Sequence, residues 1–450
     1  MPDREKRLAE DVSARALAAS RASETEIVLS GSRDALTRFA DNRIHQNLAR
    51  EGFDVSIRAT EGGRTGRAST TRTDDGALRE TADRALDIAR RSEPLADLLP
   101  VPDPYPAYPQ THCWDAATAD ASPELRARGV AEATAVARER NLSAAGSFAS
   151  AHRFSAVANS RGLFAFGEYT SAVMSVTMTG EGSTGYAEGG ASAIGGVPVP
   201  ELARRAAGKA VAGAGAVEVP PGEYTAILEP AAVAELLVYL LEGSGCLHFS
   251  GLAVREGESY FAGRMGQKVF GDNITVRDDV LHEAQWGFPF DAEGVPRSSL
   301  TLIEKGVVKE VTWDRATAAK QGTRPTGHGL PVPNTYGSTP ENVVLEGGST
   351  SIEEMVRTTP RGILVTRTWY NRLVDPADLI VTGLTRDGTF LIEDGRIVKG
   401  LRNYRFNQSL RGMLTCVTAM SPCVRAGSGI VAPALRADDF RFSAIVPRES

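Results

Sequence analysis

Residues 223–243 read EYTAILEPAAVAELLVYLLEG, and this stretch decides how the rest of the chain is interpreted. We predict a strand over Tyr224–Leu228, followed by a helix over Ala231–Glu242. Pro230 favours that helix, because proline suits a first helical position where no backbone N–H is needed. Glu235 is the one ionisable side chain in the apolar run of the helix. A carboxylate there needs a partner or a solvent-lined groove, unless it lies on an exposed stripe of the helix.

The overall composition is that of an ordinary globular protein. The chain has 450 residues, of which 42% are hydrophobic and 24% charged. Its formal net charge of −6 argues against a nucleic-acid partner, because phosphates require a basic surface. The length is sufficient for two or three domains.

The sequence also indicates where the protein works. Its four cysteines are too few and too scattered for a disulfide framework. A charged amphipathic helix, predicted over Arg4–Ala18, lacks the apolar segment of a signal peptide, and no apolar run is long enough to span a bilayer. We therefore expect a cytoplasmic protein that binds no membrane.

The predicted elements favour an α+β fold in three parts. In residues 1–120 we predict hairpins and helices, with separate strands over Glu26–Ser30 and Ala35–Ala40 and a hairpin turn at Asp41–Asn42. This part ends in a proline-rich linker, which gives an N-terminal α+β domain. Residues 121–219 form a middle α+β domain that includes a glycine-rich arm over Gly180–Gly196. Residues 220–450 form a large, mostly antiparallel β-sheet domain, and this domain carries the helix described above.

No sequence motif in the chain indicates a particular catalytic reaction. None of the six histidines has a second histidine at helical ligand spacing. The stretch Leu281–Gly287 begins like a zinc-binding helix, but Trp286 or Gly287 stands where the second ligand belongs. Cys423 is a ligand or a nucleophile if a histidine approaches it in space, and a buried inert thiol otherwise.

Several stretches taken together resemble the TldD/PmbA (TldD/TldE) family of metallopeptidase-related proteins, once described as modulators of DNA gyrase. The stretches run in the family's order and cover nearly the whole chain. They are Arg38–Asn47, Glu61–Gly66, Ser155–Gly162, Phe261–Val269, Arg367–Pro376 and the region of Cys423.

The resemblance carries implications for the helix. In the metal-binding TldD branch this helix carries His-Glu-x-x-x-His, and a cysteine near the C-terminus completes the site. The family pattern places Ala234 and Tyr239 at the two histidine positions, keeps Glu235 at the position of the catalytic acid/base and brings Cys423 near the third ligand. The resemblance therefore implies the TldE/PmbA-like branch, with no metal in this chain and zinc in a partner subunit.

Three functions remain open at this point. The resemblance implies a non-catalytic partner of a TldD-like zinc peptidase that acts on small unfolded or modified peptides, held as an added strand. Alternatively, the chain hydrolyses peptides by itself through Glu235, Cys423 and a histidine such as His248. A third possibility is a homodimeric factor for peptide binding or maturation without peptidase activity.

Overall fold

The first half of the chain builds one six-stranded sheet covered by helices. The computed structural model describes residues 4–243, 245–427 and 429–446. The strands are ordered β3-β2-β1-β4-β5-β6, and every neighbouring pair is antiparallel. The elements are α1 (Arg4–Ala19), β1 (Glu24–Ala40), β2 (Arg43–Glu61), β3 (Arg64–Thr70), α2 (Asp75–Arg91), α3 (Ala116–Ala119), α4 (Pro123–Glu139), β4 (Ser143–Asn159), β5 (Phe164–Gly180), β6 (Ser183–Ala191), a 3-10 turn (Ile194–Gly196) and α5 (Val199–Ala212).

Local sequence explains the turns and caps of this half. Asp41 and Asn42 adopt positive φ angles in the two-residue turn between β1 and β2, as predicted for an Asp-Asn hairpin. The Asp74 side chain accepts a hydrogen bond from the Ala77 N–H and caps α2. Ser122 caps α4 in the same way, ahead of a first-turn proline. The predicted helices and hairpins therefore form where short-range signals place them.

One sheet spans the two predicted N-terminal units. The 17-residue strand β1 pairs along its length with β4, so residues 1–120 and 121–219 contribute to the same layer. The stretches Glu26–Ser30 and Ala35–Ala40, predicted as separate strands, are continuous within β1. Strands from both sides of the predicted boundary near residue 120 therefore belong to a single sheet.

Most of the glycine-rich arm is a strand. Residues Ser183–Ala191 form β6 at the edge of the sheet, against which α5 packs. A Cβ atom at Gly185 would lie 2.2 Å from the Ala206 carbonyl oxygen of α5. The glycine is needed because the helix approaches the strand this closely, and the sequence signal resembles that of a flexible loop.

The second half is a strand-rich domain, which confirms the predicted α+β class and its large, mostly antiparallel C-terminal sheet. Its elements are β7 (Gly222–Leu228), α6 (Pro230–Leu241), β8 (Glu242–Gly243), β9 (Cys246–Leu247), α7 (Gly251–Glu256), β10 (Val276–Asp278), β11 (Leu300–Glu304), β12 (Val307–Val308), α8 (Arg315–Gln321), β13 (Val343–Leu345), α9 (Ile352–Arg357), β14 (Arg361–Asp375), β15 (Ile380–Glu393), β16 (Arg396–Gly400), β17 (Tyr404–Ser409), α10 (Leu410–Thr415), β18 (Val417–Met420), β19 (Val424–Ala426), β20 (Ile430–Ala432) and β21 (Leu435–Ile445).

Two sheets enclose the core of this domain. One is a seven-stranded sheet in which β7, β21, β17, β15 and β14 form a closed ring of pairings, with β7 and β14 parallel. The other contains six short strands, β10–β13 with β19 and β20. Helix α6 lies in the main hydrophobic cluster, in contact with β14, β19 and β20. No helix in the described part of the chain is long and apolar enough to cross a membrane.

Candidate functional site

Helix α6 is held firmly at the junction of the two halves. Its buried residues Ala232, Val233, Ala234, Leu236, Leu237 and Leu240 cover just over half of the helix circumference. At its first turn the Glu229 carboxylate accepts a 2.7 Å hydrogen bond from Lys209 Nζ of α5. Packing and this ion pair therefore fix the position of every side chain that α6 presents.

Glu235 is bound to strand β14. Its Oε2 accepts hydrogen bonds from the Thr368 backbone N–H at 3.1 Å and from the Thr368 hydroxyl at 2.8 Å. Burial raises the pKa of Glu235 to about 7, against the opposing effects of the Thr368 hydrogen bond and the nearby Arg367 charge. The residue is half-buried, which differs from the exposed-stripe alternative. Near neutral pH its carboxyl group is therefore partly protonated.

Tyr239 lies one turn further along the same side of α6. Its hydroxyl donates a 2.6 Å hydrogen bond to the Asn371 carbonyl oxygen of β14. The Asn371 side chain in turn donates from Nδ2 to the Thr368 hydroxyl at 2.7 Å. Burial raises the pKa of the Tyr239 phenol, so it stays neutral and keeps its proton for this hydrogen bond. Glu235 and Tyr239 thus belong to one network that joins α6 to β14.

A second polar group faces this network from the N-terminal sheet. The Glu188 carboxylate of β6 accepts hydrogen bonds from the Tyr186 hydroxyl and from the Gly427 N–H. The Arg367 guanidinium lies 4.1 Å from the centre of the Tyr186 ring and donates from Nε to Asp387 at 2.8 Å. The site is therefore built at the contact of β6 with the C-terminal domain.

Ala234 and Cys423, two of the predicted site residues, have different surroundings. Ala234 is fully buried, and a Cβ atom built on Gly427 would lie 3.6 Å from its Cβ. The Cys423 sulfur lies instead 3.9 Å from Nε2 of His282. The neighbour of Ala234 across the site is therefore the Gly427 segment.

The Cys423–His282 contact does not activate the thiol. His282 Nδ1 accepts a 3.1 Å hydrogen bond from the Ala284 N–H, so in the neutral ring Nε2 carries the proton and points it at sulfur. Burial raises the pKa of Cys423, and the negative charges of Glu283 and Glu346 add to this effect. A cysteine nucleophile requires the opposite shift, toward the thiolate.

His248, the histidine considered for an independent peptidase, is a core residue. Its Nδ1 accepts a 3.3 Å hydrogen bond from the Tyr260 N–H, and its side chain is almost fully buried. Burial lowers the pKa of its ring, which keeps the ring neutral. The residues over Leu281–Gly287 form turns without a helix.

Over residues 4–243, 245–427 and 429–446, no group of three or more His, Cys, Asp or Glu side chains is arranged to hold a metal ion. Ala234 and Tyr239 present a methyl group and a neutral, hydrogen-bonded phenol, neither of which is a zinc ligand of the usual kind.

Sequence reasoning missed most partners of the helix. Strand β14 carries Arg367 and Thr368, and β15 carries Asp387. Strand β6, which lies in the glycine-rich arm, carries Tyr186 and Glu188. The Arg367–Pro376 stretch was noted only for its resemblance to a family. Thr366 and Thr368, which lie two residues apart in a strand, were the available signal, since residues i and i+2 line one face of a sheet.

The sequence carries two recognisable family domains. The domain described as "PmbA/TldA metallopeptidase C-terminal domain" matches residues 221–444, and "PmbA/TldA metallopeptidase domain 1" matches residues 25–89. The chain belongs to the PmbA/TldD metallopeptidase family. The family resemblance drawn from short stretches of sequence is thereby confirmed, and the C-terminal match begins one residue after the predicted boundary at 220.

Two relatives of this PmbA/TldD chain are named metalloproteases. A metalloprotease of Methanothermobacter thermautotrophicus is 26% identical over 235 residues, which is 51% of this chain and 50% of that protein. A metalloprotease TldD homolog of Buchnera aphidicola is 26% identical over 157 residues, 33% of this chain and 31% of the homolog. The chain thus spans half or less of the length of these relatives.

A solved structure shares the whole fold. The crystal structure of TldE from Thermococcus kodakarensis superposes with a TM-score of 0.85 at 24% identity, covering 96% of this chain and 99% of that one. At this identity the match establishes the architecture alone.

Proposed function

We propose that this chain is the metal-free, TldE/PmbA-like subunit of a cytoplasmic two-subunit zinc peptidase. Its partner is a TldD-like subunit that holds the zinc, and the complex degrades or matures small unfolded or modified peptides. The chain completes and shapes the peptide chamber without performing the chemistry. Family membership is the established base of this proposal.

The surroundings of α6 carry the proposal. Ala234 is fully buried against its neighbours, and the Tyr239 hydroxyl is engaged by the Asn371 carbonyl oxygen. Glu235, which would act on a metal-bound water in a metallopeptidase, is bound through Oε2 to Thr368 instead. These contacts support a helix that braces β14 rather than one that holds a cation.

An apolar patch beside this network supports a protein partner. Trp369, Tyr370 and Val374 on β14 expose 41%, 68% and 60% of their surface. Exposed apolar side chains concentrated on one strand are typical of a protein contact. The patch follows directly after Thr368, so a partner bound there would lie beside the α6 network.

The rival function of an independent peptidase requires an activated nucleophile or metal in this chain. The raised pKa of Cys423 and the buried, neutral His248 both disfavour it. A homodimeric peptide-binding factor would use the same β14 patch for a second copy of the chain. The two alternatives therefore predict different zinc contents and different partners.

Co-expression with the TldD-like protein of the same source tests the proposal. We expect a 1:1 complex on size exclusion, equimolar zinc, and peptide cleavage by the pair but by neither subunit alone. Glu235→Gln in this chain should leave the activity of the pair unchanged, because glutamine still accepts the Thr368 hydrogen bond. Zinc bound by this chain alone, or loss of cleavage in Glu235→Gln, would overturn the proposal.

A matched pair of surface variants tests the contact itself. Tyr370→Glu should weaken the complex, because it places a charge in the apolar β14 patch. Tyr336→Glu is the control, since Tyr336 is 52% exposed and lies in the loop between α8 and β13. If both variants assemble equally well, then the β14 patch is not the subunit contact.

A further inference from the structure

A cavity of about 570 Å³ lies where α5 of the N-terminal half meets the C-terminal domain. Its walls come from helices α5 and α9 and from strands β14, β15 and β16. Glu229, which directly precedes α6, is also one of the lining residues. The volume lies in the range that small-molecule sites occupy in proteins.

One wall of the cavity is apolar. Val356, Leu364 and Phe390 belong to a buried hydrophobic cluster of the C-terminal domain, and Ile352 packs against that cluster. Ile397 of β16 extends the wall outward, with 43% of its surface exposed. The apolar wall therefore continues from the buried cluster to the solvent, so a hydrocarbon group can reach it.

The strands in this wall use their backbone groups within the sheet. Leu364 of β14 lies between Ile227 of β7 and Phe390 of β15. Phe390 lies in turn between Leu364 and Gly400 of β16. A peptide that binds along a strand needs main-chain hydrogen bonds, whereas a hydrocarbon chain needs none. These strand positions therefore favour a hydrocarbon chain over a peptide.

Helix α5 forms another wall and leaves space in it. Arg204, Gly208 and Ala212 lie along one side of this helix, because residues four apart are neighbours on a helix surface. Beyond the backbone of its own helix, a Cβ atom added at Gly208 meets nothing within 4 Å in the described part of the chain. The missing side chain therefore leaves an open channel along α5, with Arg204 one turn away.

The buried charges beside the channel largely compensate each other. Lys209 Nζ lies 2.7 Å from Glu229 Oε2, which makes this a close ion pair. Arg205 Nη2 lies 3.8 Å from the same oxygen, and 42% of the Arg205 side chain is exposed. Arg205 is therefore held less closely than Lys209, and its guanidinium remains in contact with solvent.

Two further arginines carry uncompensated charge. Arg204 of α5 and Arg396 of β16 are exposed side chains that line the cavity. Neither guanidinium has an ion pair or a hydrogen bond within residues 4–243, 245–427 and 429–446. Together the lining residues supply four cations and two carboxylates, which are Glu229 and Glu353. Accessible guanidinium groups of this kind bind a carboxylate through paired N–H donors.

We infer that this cavity binds a medium-chain fatty carboxylate. Its carboxylate lies at the arginine rim, where the excess of positive charge complements it. Its hydrocarbon chain lies against Val356, Leu364 and Phe390 and occupies the channel beside Gly208. The open guanidiniums, the channel and the apolar wall carry this inference, which is independent of the subunit role proposed above.

Sodium decanoate is a suitable probe, titrated into the full chain by isothermal calorimetry. We expect saturable binding with a Kd of about 100 µM or tighter for a ligand of this size. Butyrate has the same head group on a much shorter chain and should bind at least about a hundredfold more weakly. Decyltrimethylammonium has the same chain on a cationic head and should not saturate below about 10 mM. No saturation by decanoate in that range, or equal affinity for the two decyl compounds, overturns the inference.

A peptide carboxylate tests the class of ligand. N-acetyl-L-leucyl-L-leucine carries a carboxylate and two apolar side chains, but its amide groups lose their water without gaining partners on the paired strands. It should therefore bind at least about tenfold more weakly than decanoate. A smaller difference, or tighter binding by the peptide, overturns the assignment to a fatty carboxylate.

Four variants locate the binding. Gly208→Leu fills the channel and should weaken decanoate binding at least about tenfold, while the helix is kept because leucine is a better helix former than glycine. Arg204→Gln and Arg396→Gln each remove one open guanidinium, and at least one of them should weaken binding about fivefold or more. Arg79→Gln, at an exposed position of α2 outside the cavity, is the matched control.

The pattern across these variants decides the inference. Unchanged affinity in Gly208→Leu, or in both cavity arginine variants, overturns it. An equal loss of affinity in Arg79→Gln also overturns it, because the effect would then follow from net charge alone. If Gly208→Leu does not fold, then the two cavity arginine variants measured against Arg79→Gln decide.

Discussion

Replacing Glu235 by glutamine should stabilise the protein in a pH-dependent way. The pKa of Glu235 rises from 4.5 to about 7 on folding, because burial outweighs the Thr368 hydrogen bonds and the Arg367 charge. At 1.36 kcal/mol per pKa unit, ionising this carboxyl group costs the folded state about 3 kcal/mol. Glutamine has a similar shape and an acceptor for Thr368, but it carries no charge at any pH.

The direction of the effect follows from which state binds the proton more tightly. The folded protein holds the Glu235 proton more tightly than the unfolded chain, so the wild-type protein loses stability as the pH rises from about 4.5 to about 7. Below that window both proteins have an uncharged side chain and should be of similar stability. Above it Glu235→Gln should be more stable, by up to about 3 kcal/mol.

Denaturant unfolding at pH 5 and pH 8 measures this difference. Trp286, Trp313 and Trp369 all lie in the C-terminal domain, so tryptophan fluorescence reports mainly on the unfolding of that domain. Glu132→Gln on the exposed side of α4 gives the baseline for removing a surface carboxylate. A stability difference between Glu235→Gln and wild type that is the same at pH 5 and pH 8 would refute the reasoning, as would one that favours the wild type at pH 8.

Three further predictions concern packing, hydrogen bonding and reactivity. Gly185→Ala should destabilise the protein by about 1–3 kcal/mol or more, because the added Cβ meets the backbone of α5. Gly208→Ala, on the open side of α5, should stabilise the protein by about 0.5–1 kcal/mol. Thermal unfolding of both variants tests this pair of predictions. Tyr239→Phe should cost about 1 kcal/mol by leaving the Asn371 carbonyl oxygen without its donor, which denaturant unfolding would detect. Cys423 should react with iodoacetamide at pH 7.5 more slowly than glutathione does, because its pKa is raised. Peptide mass spectrometry measures the rate of labelling, and labelling faster than that of glutathione would favour an independent peptidase.

The sequence predicted the elements whose signals are local. Helix α6 was located from Pro230 and its run of helix formers, and the first hairpin from Asp41 and Asn42. The glycine-rich arm was not predicted to contain strand β6, since Gly185 is required by the approach of α5, which lies elsewhere in the sequence. Local reasoning fails where the reason for a residue is a distant neighbour.

In the candidate site, too, the sequence predicted what depends on local signals and missed the contacts between distant segments. Glu235 and Tyr239 were placed on one helix, because helical spacing is readable from sequence. Their partner strand β14 begins more than one hundred residues later, and no pattern joined Thr368 to Glu235. The position of Cys423 beside His282 likewise depends on the short strand β19 and on turns around residue 282, which carry no periodic signal.

The pairing of β1 with β4 has a consequence for biosynthesis. Residues 41–142 separate these two strands. During synthesis, the edge of β1 that pairs with β4 therefore stays uncovered until this long stretch and β4 have left the ribosome. Until then β1 presents an open edge, which is a template for aggregation. A fragment ending in the proline-rich linker would keep that edge permanently open and should be insoluble, although it contains the whole of the first family domain over residues 25–89.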